Sequence, residues 1–292
     1  MHKYDKCTFT KIQDNKRIIL CFHVDDLLIA GSELKIIKKL ENDISKKLEK
    51  ITFNYDNNLT YLGMEIEVTD KIKVNMTKYI KECIQDESYG DQLSSENPVS
   101  TPATENLFQE DENAVLLDEN ELSIFHSMVA KLLYLTMKVR PELLTAISYL
   151  CSRVSSATTD DKIKLIRVLK YLKGTINLGL TFKKSTNFTA ISYVDASFGI
   201  HSDGTSRSGA CELLGGNFIM CRSRKQKLVS IHSCESELYA LSEQLIEILW
   251  YNKIIEGLLN NDNDIPKLIL EDNKSVISLV ENDRHNTLGI WM

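Results

Sequence analysis

The stretch Ile18–Gly31, IILCFHVDDLLIAG, sets two adjacent aspartates inside an otherwise apolar run. Residues 18–24 and 27–30 are rich in Ile, Leu and Val and read as two buried strands. Asp25 and Asp26 then fall in a two-residue turn between them. Aspartate tolerates turn geometry, so an acidic hairpin turn explains the pair. Neighbouring carboxylates also repel one another unless a cation sits beside them. Oxygen-only pairs of this kind suit Mg²⁺ when substrate phosphates complete its shell. The pair taken alone leaves both readings open.

Working outward, the chain of 292 residues is long enough for about two domains with real cores. A hydrophobic content of 43% and a charged content of 26% exclude disordered and fibrous classes. No apolar run approaches the ~18 residues that span a bilayer, and the opening MHKYDKCTFTKIQDNK lacks the apolar centre of a signal peptide. Neither a membrane protein nor a secreted one is expected. The seven cysteines are odd in number and contain no CxxC pair, which suggests no disulfide framework or zinc ribbon. A reducing intracellular compartment is the expectation. The net charge of −6 is unevenly spread: Glu82–Ala130 holds twelve Asp or Glu and no Lys or Arg, leaving the remainder at +6. A mildly basic body with one acidic insert is compatible with a nucleic-acid partner and equally with a solvated acidic loop.

Ser32–Lys50 reads as a helix with Leu34, Ile37, Leu40, Ile44 and Leu48 on one face. Asn58–Val68 and Lys71–Met76 read as two strands joined by Thr69-Asp70, and Thr77–Gln85 as a helix. Residues 86–120, with Pro98 and Pro102, are polar, acidic and aperiodic, and read as a linker. Leu122–Met137 and Glu142–Val154 are helical on either side of Arg140-Pro141. A third helix, Asp160–Leu172, starts at a Thr/Asp cap and stops at Gly174. Its basic face, including Lys164 and Arg167, is either solvated or in contact with phosphate.

From Phe188 the pattern changes to strands. Phe188–Asp195, then Gly209–Leu214 and Asn217–Met220 about the Gly215-Gly216 turn, are followed by Lys227–His232. Glu235–Leu259 reads as a long helix with Leu238, Leu241, Leu245, Leu249 and Ile255 inward. Leu268–Glu271 is a further strand and Lys274–Val280 begins another helix. Asp195 lies at a strand end, Glu237 in the first turn of the long helix, and Asp272 just before the last helix. A mostly parallel sheet brings such positions to one edge. Three carboxylates meeting there suit two divalent ions and phosphodiester hydrolysis. Each also has an ordinary structural role, as a loop cap, a helix N-terminal acid favoured by the dipole, and an N-cap.

In order along the chain, FHVDDLLIAGS, TYLGMEIE, NPVSTP, HSMVAKLLYLT, RPELLTAISYLCSRVSS and IRVLKYLKGTINLGL are followed by SYVDASFG, SRSGACELLGG, SRKQKLVSIHSCESELYALSE, EILW and LEDNKSVISL. These blocks resemble the C-terminal part of the Pol polyprotein of copia-type LTR retrotransposons, almost end to end. The resemblance implies an α/β fold class: an α+β palm remnant and a helical thumb/connection, then a ribonuclease H-like mixed-sheet α/β domain. It implies four segments: a partial palm with primer-grip hairpin at 1–85, an acidic linker at 86–121, the thumb/connection at 122–184 and the ribonuclease H-like domain at 185–292. Asp25 and Asp26 match the paired polymerase aspartates. Asp195, Glu237 and Asp272 match three of four ribonuclease H carboxylates. Glu237 fits better than Glu235, because an apolar or aromatic residue follows the family's catalytic glutamate. Arg222, Arg224, Lys225 and Lys227, with Lys164 and Arg167, are candidates for holding nucleic acid.

The resemblance further implies Mg²⁺, with Mn²⁺ as an alternative, and as partners an RNA–DNA hybrid, an RNA template and a DNA primer. No membrane is among the expected partners. The expected location is intracellular, in the cytoplasm and its virus-like particles, with access to the nucleus. Three departures stand out: His23 for the usual tyrosine, Ser197-Phe198 for Asp-Trp, and Cys221-Arg222 for Trp-Ser. A further palm aspartate and the fingers are expected upstream of Met1, which predicts an exposed sheet edge near residues 17–31. The fourth ribonuclease H carboxylate is expected near Trp291-Met292. The chain is thus expected to be cut at both ends. Two functions follow: a piece of a reverse transcriptase with ribonuclease H, or an inactive remnant that binds nucleic acid or protein.

Overall fold

The computed structural model describes residues 2–282 apart from 15, 49, 95, 96 and 260–264. Its first sheet is an antiparallel meander of β1 (Thr8–Gln13), β2 (Lys16–His23) and β3 (Asp26–Gly31), in that spatial order. The hairpin turn is Val24-Asp25 and not Asp25-Asp26, because Asp26 already pairs with His23 in the ladder. Val24 turns the chain with a φ of 52°, a left-handed conformation unfavourable to a β-branched residue. The expectation of two buried strands also fails. Helix α1 (Leu34–Ser45), shorter than the expected 32–50, packs beside β2 and β3. Ile18 is the sheet's one buried large apolar side chain among the described residues.

The second sheet runs β4 (Asn58–Tyr61), β5 (Met64–Val68), β6 (Lys71–Asn75) and β7 (Leu180–Lys183), all antiparallel. Asn58–Val68 is therefore a hairpin and not one strand. Leu62 and Gly63 both take positive φ, 50° and 74°, the requirement of a tight two-residue turn. β7 returns from more than a hundred residues away to pair with β6, which local pattern could not announce. A Cβ on Gly179 would lie 2.3 Å from the Val74 carbonyl oxygen, so glycine permits that approach.

Between β6 and β7 lie α2 (Thr77–Ile84), α3 (Glu87–Ser94), α4 (Glu119–Lys138), α5 (Leu144–Arg153) and α6 (Thr159–Gly174). Phe125, Leu132 and Leu135 of α4 meet Ile147 and Leu150 of α5 and Leu165 and Leu169 of α6 in the main core. A capping box between Thr158 and Asp161 starts α6. The segment expected as an acidic linker is instead part of this core, which buries Tyr89, Leu93, Leu107 and Leu117. Its acids face lysines: Asp86 pairs with Lys131 and Glu121 with Lys162, each at 2.8 Å. Isolated apolar anchors and charge complementarity, which periodicity does not register, hold it down.

The third sheet has the order β10-β9-β8-β11, from β8 (Ala190–Ser197), β9 (Arg207–Leu214), β10 (Asn217–Lys225) and β11 (Lys267–Leu270). It is mixed and not mostly parallel, with only β11 running parallel to its neighbour β8. Helix α7 (Ser233–Leu259) covers β8 and β9, and α8 (Lys274–Glu281) packs against α7. Lys227–His232, expected as a strand, is an irregular loop with Leu228, Val229 and Ile231 exposed. The buried residues of α7 are Ser236, Glu237, Ala240, Leu241, Gln244, Ile248 and Asn252, so Leu245 and Leu249 point outward, contrary to expectation. More than half of that set is polar, which misdirects a reading based on apolar spacing.

The N-terminal segment closes onto the far end of α7. His2 Nε2 bonds the Ile254 carbonyl at 3.0 Å, and Arg17 donates to the Leu259 carbonyl at 2.5 Å. Among the described residues no helix is long and apolar enough to cross a membrane.

Candidate metal centre

Asp195 sits near the end of β8, Glu237 in the first turn of α7, and Asp272 two residues past β11. The structure brings the three together: one carboxylate oxygen from each lies within 4.8 Å of the others. They are the only such group among the described residues. Parallel pairing of β11 with β8 carries Asp272 to the level of Asp195, and α7 crosses the same end of the sheet.

Local contacts fix Glu237 in place. Gln226, buried at the end of β10, donates from Nε2 to the Ser236 carbonyl at 2.9 Å and to Ser208 Oγ at 3.0 Å. That ties the start of α7 to β9, a role no sequence signal announced. Glu235 turns away, its carboxylate accepting the Ile231 N–H at 2.7 Å. Glu237 is only 6% exposed, and its Oε2 has no hydrogen-bond partner. Burial, then the charges of Glu271, Asp195 and Asp272, push its carboxyl up to about 7, against a weaker pull from the Ala196 backbone hydrogen bond. Burial also raises Glu271, whose Oε2 is likewise buried without a partner. Glu271 escaped the sequence reading, although LILED sets it directly before Asp272.

An oxygen-only set with an orphaned buried carboxylate oxygen fits a hard divalent cation. Burial of a carboxylate without a partner is otherwise costly. The hairpin pair differs. Asp25 and Asp26 are exposed, and no third ligand joins them among the described residues.

The basic candidates divide. Arg224 and Lys227 are exposed beside the centre in sequence, and Lys225, also exposed, pairs with Asp203 at 2.6 Å. Arg222 is turned inward, donating to the Glu243 carbonyl at 3.0 Å and lying near Glu243 and Glu247, so it pins β10 to α7. Lys164 binds the Gln109 carbonyl at 2.6 Å and Asp160 at 2.8 Å, and Arg167 binds Thr101 Oγ1 at 2.9 Å. The acidic segment thus covers that part of α6.

A family profile described as "Reverse transcriptase (RNA-dependent DNA polymerase)" matches residues 2–105. An uncharacterized mitochondrial protein of Arabidopsis thaliana is 30% identical over 238 residues, which covers 79% of this chain and 93% of that protein. The retrovirus-related Pol polyprotein from transposon TNT 1-94 of Nicotiana tabacum is 25% identical over 291 residues, 97% of this chain and 21% of the polyprotein. The chain belongs to the copia-type retrotransposon Pol family. The retrovirus-related Pol polyprotein from transposon RE2 of Arabidopsis thaliana, 26% identical, matches over 87% of the chain and 17% of its own length. The chain therefore spans about a fifth of the Pol polyproteins it matches. No solved structure matches it. The reverse transcriptase match covers the first two sheets up to β6 with α1 to α3, whereas the three converging carboxylates lie beyond residue 105.

Proposed function

We propose that the sheet β8–β11 with α7 and α8 is a ribonuclease H-type unit that cleaves the RNA strand of an RNA–DNA hybrid. The observation that carries this reading is the meeting of Asp195, Glu237 and Asp272, with Glu237 buried and one of its oxygens unpartnered. Divalent cations, Mg²⁺ or Mn²⁺, supply Lewis-acid activation of water and charge neutralisation at the departing oxygen when bound. The protein's part is to hold the donor oxygens ready. The Gln226 contacts and the sheet register fix them before substrate arrives, so no reorganisation is needed during reaction. Arg224, Lys225 and Lys227 would hold the hybrid through its phosphates, and helical shape and sugar hydroxyls would supply the rest of the recognition.

In this reading the first sheet is reverse transcriptase palm, with Asp25 and Asp26 as its metal-binding pair. With two exposed carboxylates and no third ligand among the described residues, primer extension by this chain alone is not expected. The test is cleavage of a labelled hybrid in Mg²⁺ or Mn²⁺, compared with Asp195→Asn. Metal-dependent cleavage lost in the variant supports the reading. Hybrid binding without cleavage in either ion overturns it and favours a binding module without catalysis.

A further inference from the structure

We propose that Cys211 and Cys221 form a cross-strand dithiol that low-molecular-weight disulfides close reversibly, and that closure loosens the seam between the third sheet and the helical core. The first support is register. In the antiparallel ladder of β9 and β10, Cys221 pairs directly with Cys211. Opposed residues of such a ladder share a face and hold their Cα atoms about 4.5 or 5.5 Å apart. A disulfide spans Cα separations of about 4.4–6.8 Å, so either spacing accepts the bond. Both residues are free thiols and half-buried, within reach of a small oxidant. Burial first, then the Cys211 sulfur and Glu142, push the Cys221 thiol up to about 12, and burial followed by Glu212 raises Cys211. Both stay protonated at neutral pH, which makes exchange slow.

The second support is where the two sulfurs lie. Arg222 and its ladder partner Ala210 are on the α7 side of the sheet, where Arg222 donates to the Glu243 carbonyl at 3.0 Å. Side chains alternate along strands, so Cys211 and Cys221 take the opposite face. There Cys221 donates its S–H to the Pro141 carbonyl at 3.8 Å, at the corner between α4 and α5. Arg207, on the same face, donates to Ser148 of α5 at 2.7 Å. In the reaction, one cysteine thiolate attacks a sulfur of the small disulfide, forms a mixed disulfide and expels one small thiolate. The other cysteine attacks the protein sulfur of that mixed disulfide and expels the second. The two cysteine protons end on the two small thiols, and the small disulfide takes up both electrons. The closed bond carries no S–H, so Pro141 loses its donor. Transient disulfides of this kind sense redox state in compartments that sustain no permanent framework.

The test equilibrates the full chain at increasing ratios of oxidised to reduced glutathione, followed by alkylation in denaturant, trypsin and mass spectrometry. Trypsin cuts after Arg207 and Arg222, so one peptide, 208–222, carries both cysteines and no other. The expected product is that peptide unalkylated and lighter by two hydrogens, returning to the doubly alkylated form after dithiothreitol. It should exceed the glutathionylated peptide by at least about tenfold, because the second exchange is intramolecular. In Cys211→Ser and in Cys221→Ser the remaining cysteine should carry glutathione instead. Hydrogen exchange in residues 139–145 of the natural chain should quicken on closure. Glutathionylation without the internal bond, or full alkylation at every ratio, overturns the dithiol. A bond from either residue to a different cysteine does the same. Closure with unchanged exchange in 139–145 overturns the coupling to the helical core.

Discussion

Neutralising Glu237 should make the metal-free protein more stable above neutral pH. Its carboxyl is lifted from an ordinary 4.5 to about 7, mainly by burial and then by Glu271, Asp195 and Asp272. At about 1.4 kcal/mol per pH unit, that difference amounts to about 3 kcal/mol between folded and unfolded chains. The sign follows from proton binding. The folded state holds this proton more tightly, so its contribution is complete below about pH 4.5 and disappears as pH rises through about 7. Glu237→Gln imitates the protonated acid at every pH. In EDTA the variant should match the natural chain at pH 4.5 and exceed it by up to about 3 kcal/mol at pH 8.5. Urea unfolding at fixed pH values measures both, and groups titrating elsewhere cancel in the difference. Mg²⁺ should narrow the gap at pH 8.5, because it binds and stabilises the chain with all three carboxylates more strongly than the variant with two. Parallel pH profiles for the two proteins, or a Gln variant that is weaker at pH 8.5, would refute the reasoning.

Arg140→Ala should cost about 3–5 kcal/mol in urea unfolding. The guanidinium is wholly buried, pairs with Glu142 at 2.6 Å and donates to the Thr175 carbonyl and hydroxyl, joining the α4–α5 corner to the end of α6. Thr158→Ala removes the hydroxyl half of the α6 capping box and should cost about 1 kcal/mol, read as a lower urea midpoint with unchanged slope. Val24→Gly should stabilise the first hairpin by up to about 1 kcal/mol, because Val24 is 81% exposed and held at positive φ. Slower hydrogen exchange in β2 and β3 would show it.

The carboxylate centre was largely legible because its members sit at strand and helix boundaries that local pattern marks well. Choosing Glu237 over Glu235 needed a family resemblance, and the structure separates them by direction, one into the cluster and one onto the Ile231 loop. What the sequence could not show is that Asp272 comes level with Asp195, because that depends on parallel pairing of β11 with a strand over seventy residues away. Long-range pairing also hid β7. The buried polar residues Gln244 and Asn252 shifted the apparent inward face of α7 onto Leu245 and Leu249. For residues 86–121 composition misled, since a few buried anchors such as Tyr89 and Leu107 outweigh a polar average. The expectation of a carboxylate near Trp291 lies outside the described residues.

Helix α7 acts as a ruler. Glu237 lies near its start, and Leu259, which receives the hydrogen bond from Arg17, is its last residue. The 22 steps between them, at a rise of about 1.5 Å each, separate the carboxylates from the first sheet by about 33 Å. On the proposed hybrid-cleaving reading, a duplex advancing about 3.4 Å per base pair would need about ten base pairs to cover that interval. The length of the helix sets that interval. Inserting or deleting a single turn of α7 would change the interval by about 5.4 Å and leave every side chain of the carboxylate cluster untouched.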